Sequence, residues 1–207
     1  MREGRFIYPN STLYTTFLDY DRFGYPNSAL NLNQGFKVVS ENIIFNGDFS
    51  RALWSKDLRN NTVTSAFLDF GNDLVNATGS NLVLGYLNET NTVELHVNSV
   101  NAYGSFNTSV ISTTPLERGV WNFLVATLEG TIGMIYLNGI LVGQNNLNAP
   151  LNINRPLNLI GGRRSGNNGI YTTSSAVIDE LRIYNRSLSL IEITTLMKTN
   201  DSFFLRF

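Results

Sequence analysis

The sequence predicts an all-β fold: two antiparallel sheets stacked as a sandwich, with one short helix at about 190-198 near the C-terminal end. Three observations lead there. Gly133 to Gly143 reads as a hairpin, two apolar runs around Asn138-Gly139. A two-residue type I′ turn needs φ > 0 at both central positions, which Asn-Gly supplies at the least steric cost. Apolar runs elsewhere stay short, and turn signals recur about every 8 to 12 residues, the spacing of an antiparallel sandwich. Finally, only one segment carries a helical period with a capping signal.

The hairpin sets a register in which Leu137 faces Ile140, Tyr136 faces Leu141, and Ile135 faces Val142. One face then carries Ile135, Leu137, Ile140 and Val142, and is expected against the core. Upstream, residues 5 to 20 read as one or two strands split at Pro9-Asn10, and 19 to 28 as a loop around Gly24, Pro26 and Asn27. Strands are expected at 29–32, 36–39, 43–45, 49–55, 63–70, 82–87 and 92–97, with a further one at 105–112. Val120 to Leu128 leads into the hairpin, 157–162 follows it, 163–174 reads as a polar loop, and 176–184 is the last main strand. Ser189-Leu190-Ile191-Glu192 is a capping box: the Ser hydroxyl satisfies a first-turn amide, and Glu192 reaches back to the cap. Leu190, Ile193, Leu196 and Met197 form its apolar stripe. The tail from Ser202 to Phe207 is too apolar to float free and reads as a docked strand.

A length of 207 residues favours one core, so 1-207 is read as a single domain, with docking strands or tails at 1-18 and 199-207. Hydrophobic residues make up 43%, but no run approaches the roughly 18 to 20 apolar residues of a membrane span. A net charge of -1 offers no basic footprint for nucleic acid. Charged residues are only 15%, against 28 asparagines, a balance that suits turns and polar strand faces. Cysteine is absent, which excludes disulfides, thiolate metal sites and a Cys nucleophile together. An extracellular module without disulfides fits a microbial or viral source better than an animal one. Residues 1 to 5 show no secretion signal. Seven N-x-S/T sequons, at Asn10, Asn60, Asn76, Asn88, Asn107, Asn185 and Asn200, permit glycosylation, although a chain this rich in Asn, Ser and Thr generates several by chance.

Four stretches resemble the laminin-G-like, concanavalin A-like jelly-roll modules. Ala29-Leu30-Asn31-Leu32 to Gly35-Phe36-Lys37-Val38 is similar to the family's early strand pair. Asp48 to Lys56 resembles its "FT-x-x-x-W-x-K" strand. Trp121 to Ala126 through Ile135 to Gly139 resembles "W-x-x-V-A … Y-x-N-G", and Ile178 to Ile193 resembles the closing "D-E-hydrophobic-R-I-Y … L-S-x-x-E-I". The likeness covers roughly residues 29 to 198. It implies a jelly roll of two antiparallel sheets, one curved, with Trp54 and Trp121 in the sandwich interior.

Related glucanases carry a Glu-x-Asp-x-x-Glu strand, because retaining hydrolysis needs paired carboxylates about 5 Å apart. That run is missing here. Asp179 and Glu180 are adjacent, so on a regular strand they point to opposite faces, one a buried Asp bonding loop amides and the other an exposed Glu. His96, the single histidine, lies mid-strand without a nucleophile elbow. Two-histidine zinc chemistry is excluded. Calcium is the metal the resemblance implies, held by oxygen ligands at a sheet rim, with Asp48, Asp69, Asp73 and Asp179 as candidates. Tyr103, Phe106 and Tyr171 are loop aromatics suited to a ligand, and Arg163-Arg164 reads as an anion contact or a solvated turn.

The expected function is a non-catalytic surface module on a cell or virion, a lectin-like glycoprotein binding a glycan or a surface protein in adhesion. The alternative is a structural subunit of a fibre, filament, appendage or coat, self-assembling through its terminal segments.

Overall fold

A computed structural model describes residues 17–33, 37–39, 45, 47–59, 64–72, 80–87, 89–101, 104–165, 170–199 and 205–206. Its strands, in chain order, are β1 (Phe17–Asp19), β2 (Ala29–Asn31), β3 (Lys37–Val39), β4 (Phe49–Asp57), β5 (Ser65–Gly71), β6 (Leu82–Tyr86), β7 (Thr92–Asn101) and β8 (Gly104–Pro115). There follow β9 (Trp121–Glu129), β10 (Ile132–Leu137), β11 (Ile140–Asn146), β12 (Leu157–Ile160), β13 (Gly162–Ser165), β14 (Ile170–Thr173) and β15 (Ala176–Tyr184). Helix α1 (Leu190–Lys198) and β16 (Leu205–Arg206) complete the set.

Two antiparallel sheets face each other. The larger has the order β1-β2-β15-β4-β9-β10-β11, with β16 beside β15; the smaller has the order β3-β12-β5-β6-β7-β8. Leu53, Leu124 and Ile135 from the first meet Leu68, Leu84 and Leu95 from the second in one apolar layer. Period-two alternation explains this: each strand sends every other side chain inward. Arg51 is the exception on the inner face of β4. Its fully buried guanidinium lies 5.3, 5.1 and 4.6 Å from the ring centres of Phe45, Phe49 and Phe70, and one arm donates to the Leu82 carbonyl at 3.1 Å. Burial, then repulsion from Arg155, lowers its pKa to about 9, and Asp69 partly offsets them.

A second apolar cluster lies on the outer face of the large sheet. Helix α1 covers it, with Ile193 buried against Phe123, Val125 and Tyr136. The capping box is present, Ser189 and Glu192 closing the first turn reciprocally. Leu190 is 53% exposed and so stands outside the expected stripe. Trp54 belongs to this outer cluster, its ring 5.1 Å from Phe123, rather than to the interior. Trp121 is half-buried at the start of β9 with the Lys56 ammonium 5.3 Å from its ring centre.

The hairpin forms as expected for Leu137–Ile140 and Tyr136–Leu141, but a register shift then places Ile135 opposite Gly143 instead of Val142. Gly143 sits where a Cβ would come within 2.7 Å of the Ile111 carbonyl oxygen, so only glycine lets β11 approach β8 there. Ile140, expected in the core, is 67% exposed at the hairpin tip. Residues 163–174, read as a loop, instead contribute the antiparallel ribbon β13–β14. The expected strand at 43–45 falls largely outside the described residues, as do the first sixteen residues. The described part of the tail docks on this same chain, β16 running parallel to β15 at Leu181 and Arg182.

Candidate functional site

The outer face of the small sheet is where polar side chains converge. On β7, Val93, Leu95 and Val97 face the core, so Glu94, His96 and Asn98 face away. Strand pairing extends these into rows. Asp69, Val83, His96 and Ser109 lie side by side across β5 to β8, Gly85, Glu94 and Ile111 form the next row, and Asn98 stands opposite Asn107.

The ribbon packs against β5 and brings Arg163 to this face. One Glu94 oxygen lies 3.5 Å from His96 Nδ1 and the other 3.6 Å from an Arg163 nitrogen. Burial pushes the Glu94 carboxyl up, but hydrogen bonds from His96 and Ser109 and the charges of His96 and Arg163 outweigh it, leaving the pKa below 4.5. Glu94 is therefore an acceptor held in place, with 11% of its side chain exposed, beside the more open His96 and Arg163 at 19% and 27%. Linkage fixes the sign of the pH effect. A depressed carboxylate contributes stability above its unfolded pKa, and that contribution is lost as pH falls through the folded value. Urea midpoints measured from pH 6 to pH 3 are expected to fall less steeply for Glu94→Gln than for the natural protein; parallel curves would refute the coupling.

The other candidate residues are distributed as follows. Arg164 and Tyr171 are cross-strand neighbours on the same ribbon. Phe106 lies on β8 opposite Ser99, 45% exposed, on the face away from Asn107 and Ser109. Asn107 and Asn185 are exposed. Tyr103, Asp73, Asn10, Asn60, Asn76, Asn88 and Asn200 lie outside the described residues.

The calcium candidates do not come together. Asp48 is exposed before β4 and accepts the Gly130 amide at 2.7 Å. Asp69 is fully buried on β5, and Asp179 is on β15 in the opposite sheet. Among the described residues no group of three His, Asp or Glu is placed to hold a metal. The described acids do not fit a calcium site, since such a site takes six to eight oxygens around one point.

Asp179 and Glu180 do not part to opposite faces with Glu180 exposed. The β15–β4 register breaks between Asp179 and Arg182, and Glu180 adopts φ of 50°. This bulge turns both carboxylates to Arg22 on the β1–β2 loop. Asp179 accepts its amide at 3.5 Å, Glu180 pairs with its guanidinium at 2.9 Å, and Glu180 is 1% exposed. Burial raises the Asp179 pKa despite the Arg22 amide.

Sequence reasoning did not find Glu94 and His96 as partners of Arg163, because 69 and 67 positions separate them from it. The period-two spacing of Glu94 and His96 on one strand was the available signal.

A laminin G-type family model, described as the concanavalin A-like lectin/glucanases superfamily, matches residues 31–194. The chain belongs to this superfamily. Among solved structures, domain 4 of an extracellular arabinanase from Geobacillus stearothermophilus, in complex with arabinotriose, is similar at 17% identity. The match covers 89% of this chain and 82% of that one, with a TM-score of 0.65. A structure of botulinum neurotoxin type C, whose cell entry depends on interaction with two ganglioside molecules, matches at 15% identity and TM-score 0.60 over 88% of this chain; the chain spans 44% of that one. A SAP-like pentraxin from Limulus polyphemus matches at 15% identity, with 80% and 76% covered and a TM-score of 0.57. At these identities the likeness establishes the fold. No curated protein matches this superfamily member by sequence. Among the described residues, no helix is long and apolar enough to cross a membrane.

Proposed function

We propose that residues 1–207 form one non-catalytic carbohydrate-binding module that works outside the cell, with the outer face of the small sheet as its glycan site. The observation that carries this reading is the Glu94–His96–Arg163 cluster. An imidazole and a guanidinium each lie within 4 Å of one carboxylate on the outer β face, with Asn98, Asn107 and Ser109 alongside. Sugar hydroxyls both donate and accept, and such a mixed set of fixed polar groups matches them. Arabinotriose on a domain of this fold supports the reading, as does the dependence of botulinum neurotoxin type C cell entry on gangliosides.

The carboxylates argue for binding over hydrolysis. Asp69, in the row beside Glu94, is fully buried, and Asp179 and Glu180 are buried against Arg22 in the other sheet. A glycosidase needs two carboxyl groups open to the scissile bond.

The test is a glycan array on the natural protein, followed by calorimetry on its best ligand. Glu94→Gln and His96→Ala are each expected to weaken that binding at least tenfold, with melting temperatures within a few degrees of the parent. An array that retains no glycan would sink the proposal.

A further inference from the structure

The loop between β1 and β2 displays a group of aromatic side chains that the reading above does not use. Tyr20, Phe23 and Tyr25 are 59, 45 and 63% exposed, and Leu18 beside them is 60% exposed. Water-exposed aromatics in such density mark a contact surface.

The loop is held rigid from below. One oxygen of buried Asp21 accepts the amides of Phe23 at 2.9 Å and Tyr25 at 2.8 Å, and the Asp21 amide donates to the Tyr25 carbonyl at 3.0 Å. Gly24 at φ 86° and Asn27 at φ 59° make the reversals. Arg22 is turned inward, 4.6 Å from the Trp54 ring centre and 4.3 Å from that of Phe23, and its charge is spent on Glu180. Asp19 is likewise engaged by the Asn31 amide at 2.7 Å.

The loop therefore exposes Tyr20 and Tyr25, and Phe23 with Arg22 over one ring face, while its charges are satisfied internally. We infer that it is a second carbohydrate contact, a stacking platform for an uncharged sugar ring. Pyranose and furanose rings pair an apolar C–H face with hydroxyl edges, which complements an aromatic face edged by Tyr hydroxyls. Tyr and Phe supply that area with only two side-chain torsions each to freeze, and the clamped backbone removes most of the remaining ordering cost. A lipid surface fits less well, because the loop's one cation, Arg22, faces inward and offers nothing to lipid headgroups.

This inference rests on the carbohydrate reading, and the experiment separates the two. The best array ligand is titrated by calorimetry into three proteins: the parent, Glu94→Gln, and the triple variant Tyr20→Ala, Phe23→Ala, Tyr25→Ala. The triple variant is expected to lose at least tenfold in affinity with an unchanged melting temperature. In a Trp121→Phe background, where Trp54 is the only tryptophan, the same sugar is expected to shift the emission of the Glu94→Gln variant.

Parent-like affinity in the triple variant, with loss only in Glu94→Gln, would overturn the platform and leave the sheet-face site standing. Loss of all glycan binding in the parent would remove both. Loop-dependent sedimentation with phosphatidylcholine vesicles, without loop-dependent sugar binding, would reassign the loop to lipid.

Discussion

Arg22→Ala is expected to lower stability by about 3 to 5 kcal/mol, the range for removing one partner of a buried ion pair. Only 6% of the Arg22 side chain is exposed and 1% of Glu180. Without Arg22, the Glu180 carboxylate keeps Arg182 at 3.2 Å but loses its closer partner inside a bulge at φ 50°. Arg22 also donates to the Thr199 carbonyl at the C-cap of α1 and stacks on Trp54. One side chain thus ties the β1–β2 loop, the β15 bulge and the end of the helix. For a domain of this size the loss corresponds to roughly 6 to 20 °C in melting temperature. A thermal melt showing Arg22→Ala within about 1 kcal/mol of the parent would show that Arg182 alone satisfies Glu180.

The same bulge shows which parts of this architecture can be read from sequence. Where side-chain chemistry fixes backbone locally, the reading succeeds. Asn138-Gly139 forces the hairpin turn, and Ser189 with Glu192 starts the helix at Leu190. Features that depend on partners distant in the chain stay hidden. Glu180 looks like a solvent-facing neighbour of Asp179 until a register break against β4 turns it inward. Arg51 would be placed on any surface by its charge, yet three phenylalanine rings from different segments enclose it.

Residues 163–174 lack the apolar alternation of a half-buried strand, so they read as a loop. Their ribbon forms because it lies over β5, and that is what carries Arg163 to Glu94. The strand expected at 105–112 is found as the longer β8, whose polar ends run past the expected bounds and whose outer edge meets β11. Thr113 donates to the Val142 carbonyl at 2.9 Å and Asn145 to the Ser109 carbonyl at 2.9 Å. The Asp21 clamp was visible only as a Gly-Pro-Asn loop. The exposure of its aromatics requires the fold, because sequence alone does not say which rings are covered.

Gly85→Ala is expected to destabilise the small sheet by about 3 kcal/mol, the upper part of the range for overpacking. Gly85 stands on the outer face of β6, opposite Ala66 on one side and Glu94 on the other. A Cβ there would fall on the Ser65 carbonyl oxygen and lie 3.0 Å from the Ala66 Cα. Both obstacles are backbone, so no rotamer change relieves the clash. The crowding follows from the extra residue in β5: the register shifts between Ala66 and Leu68, and Phe67 packs edge-on to Tyr86 at 5.3 Å. To admit a methyl group, β5 must slide away from β6 and lose that packing. The expected drop in melting temperature is roughly 6 to 12 °C. Adding Ala66→Gly is expected to give no rescue, since the Ala66 side chain is not the obstacle. Rescue by Ala66→Gly, or a Gly85→Ala protein that melts with the parent, would mean the β5 bulge does not press on Gly85. If β5 does move, the ribbon resting on it moves too, and Arg163 leaves Glu94. Under the proposed function, Gly85→Ala is therefore expected to weaken glycan binding through the same displacement that lowers its stability.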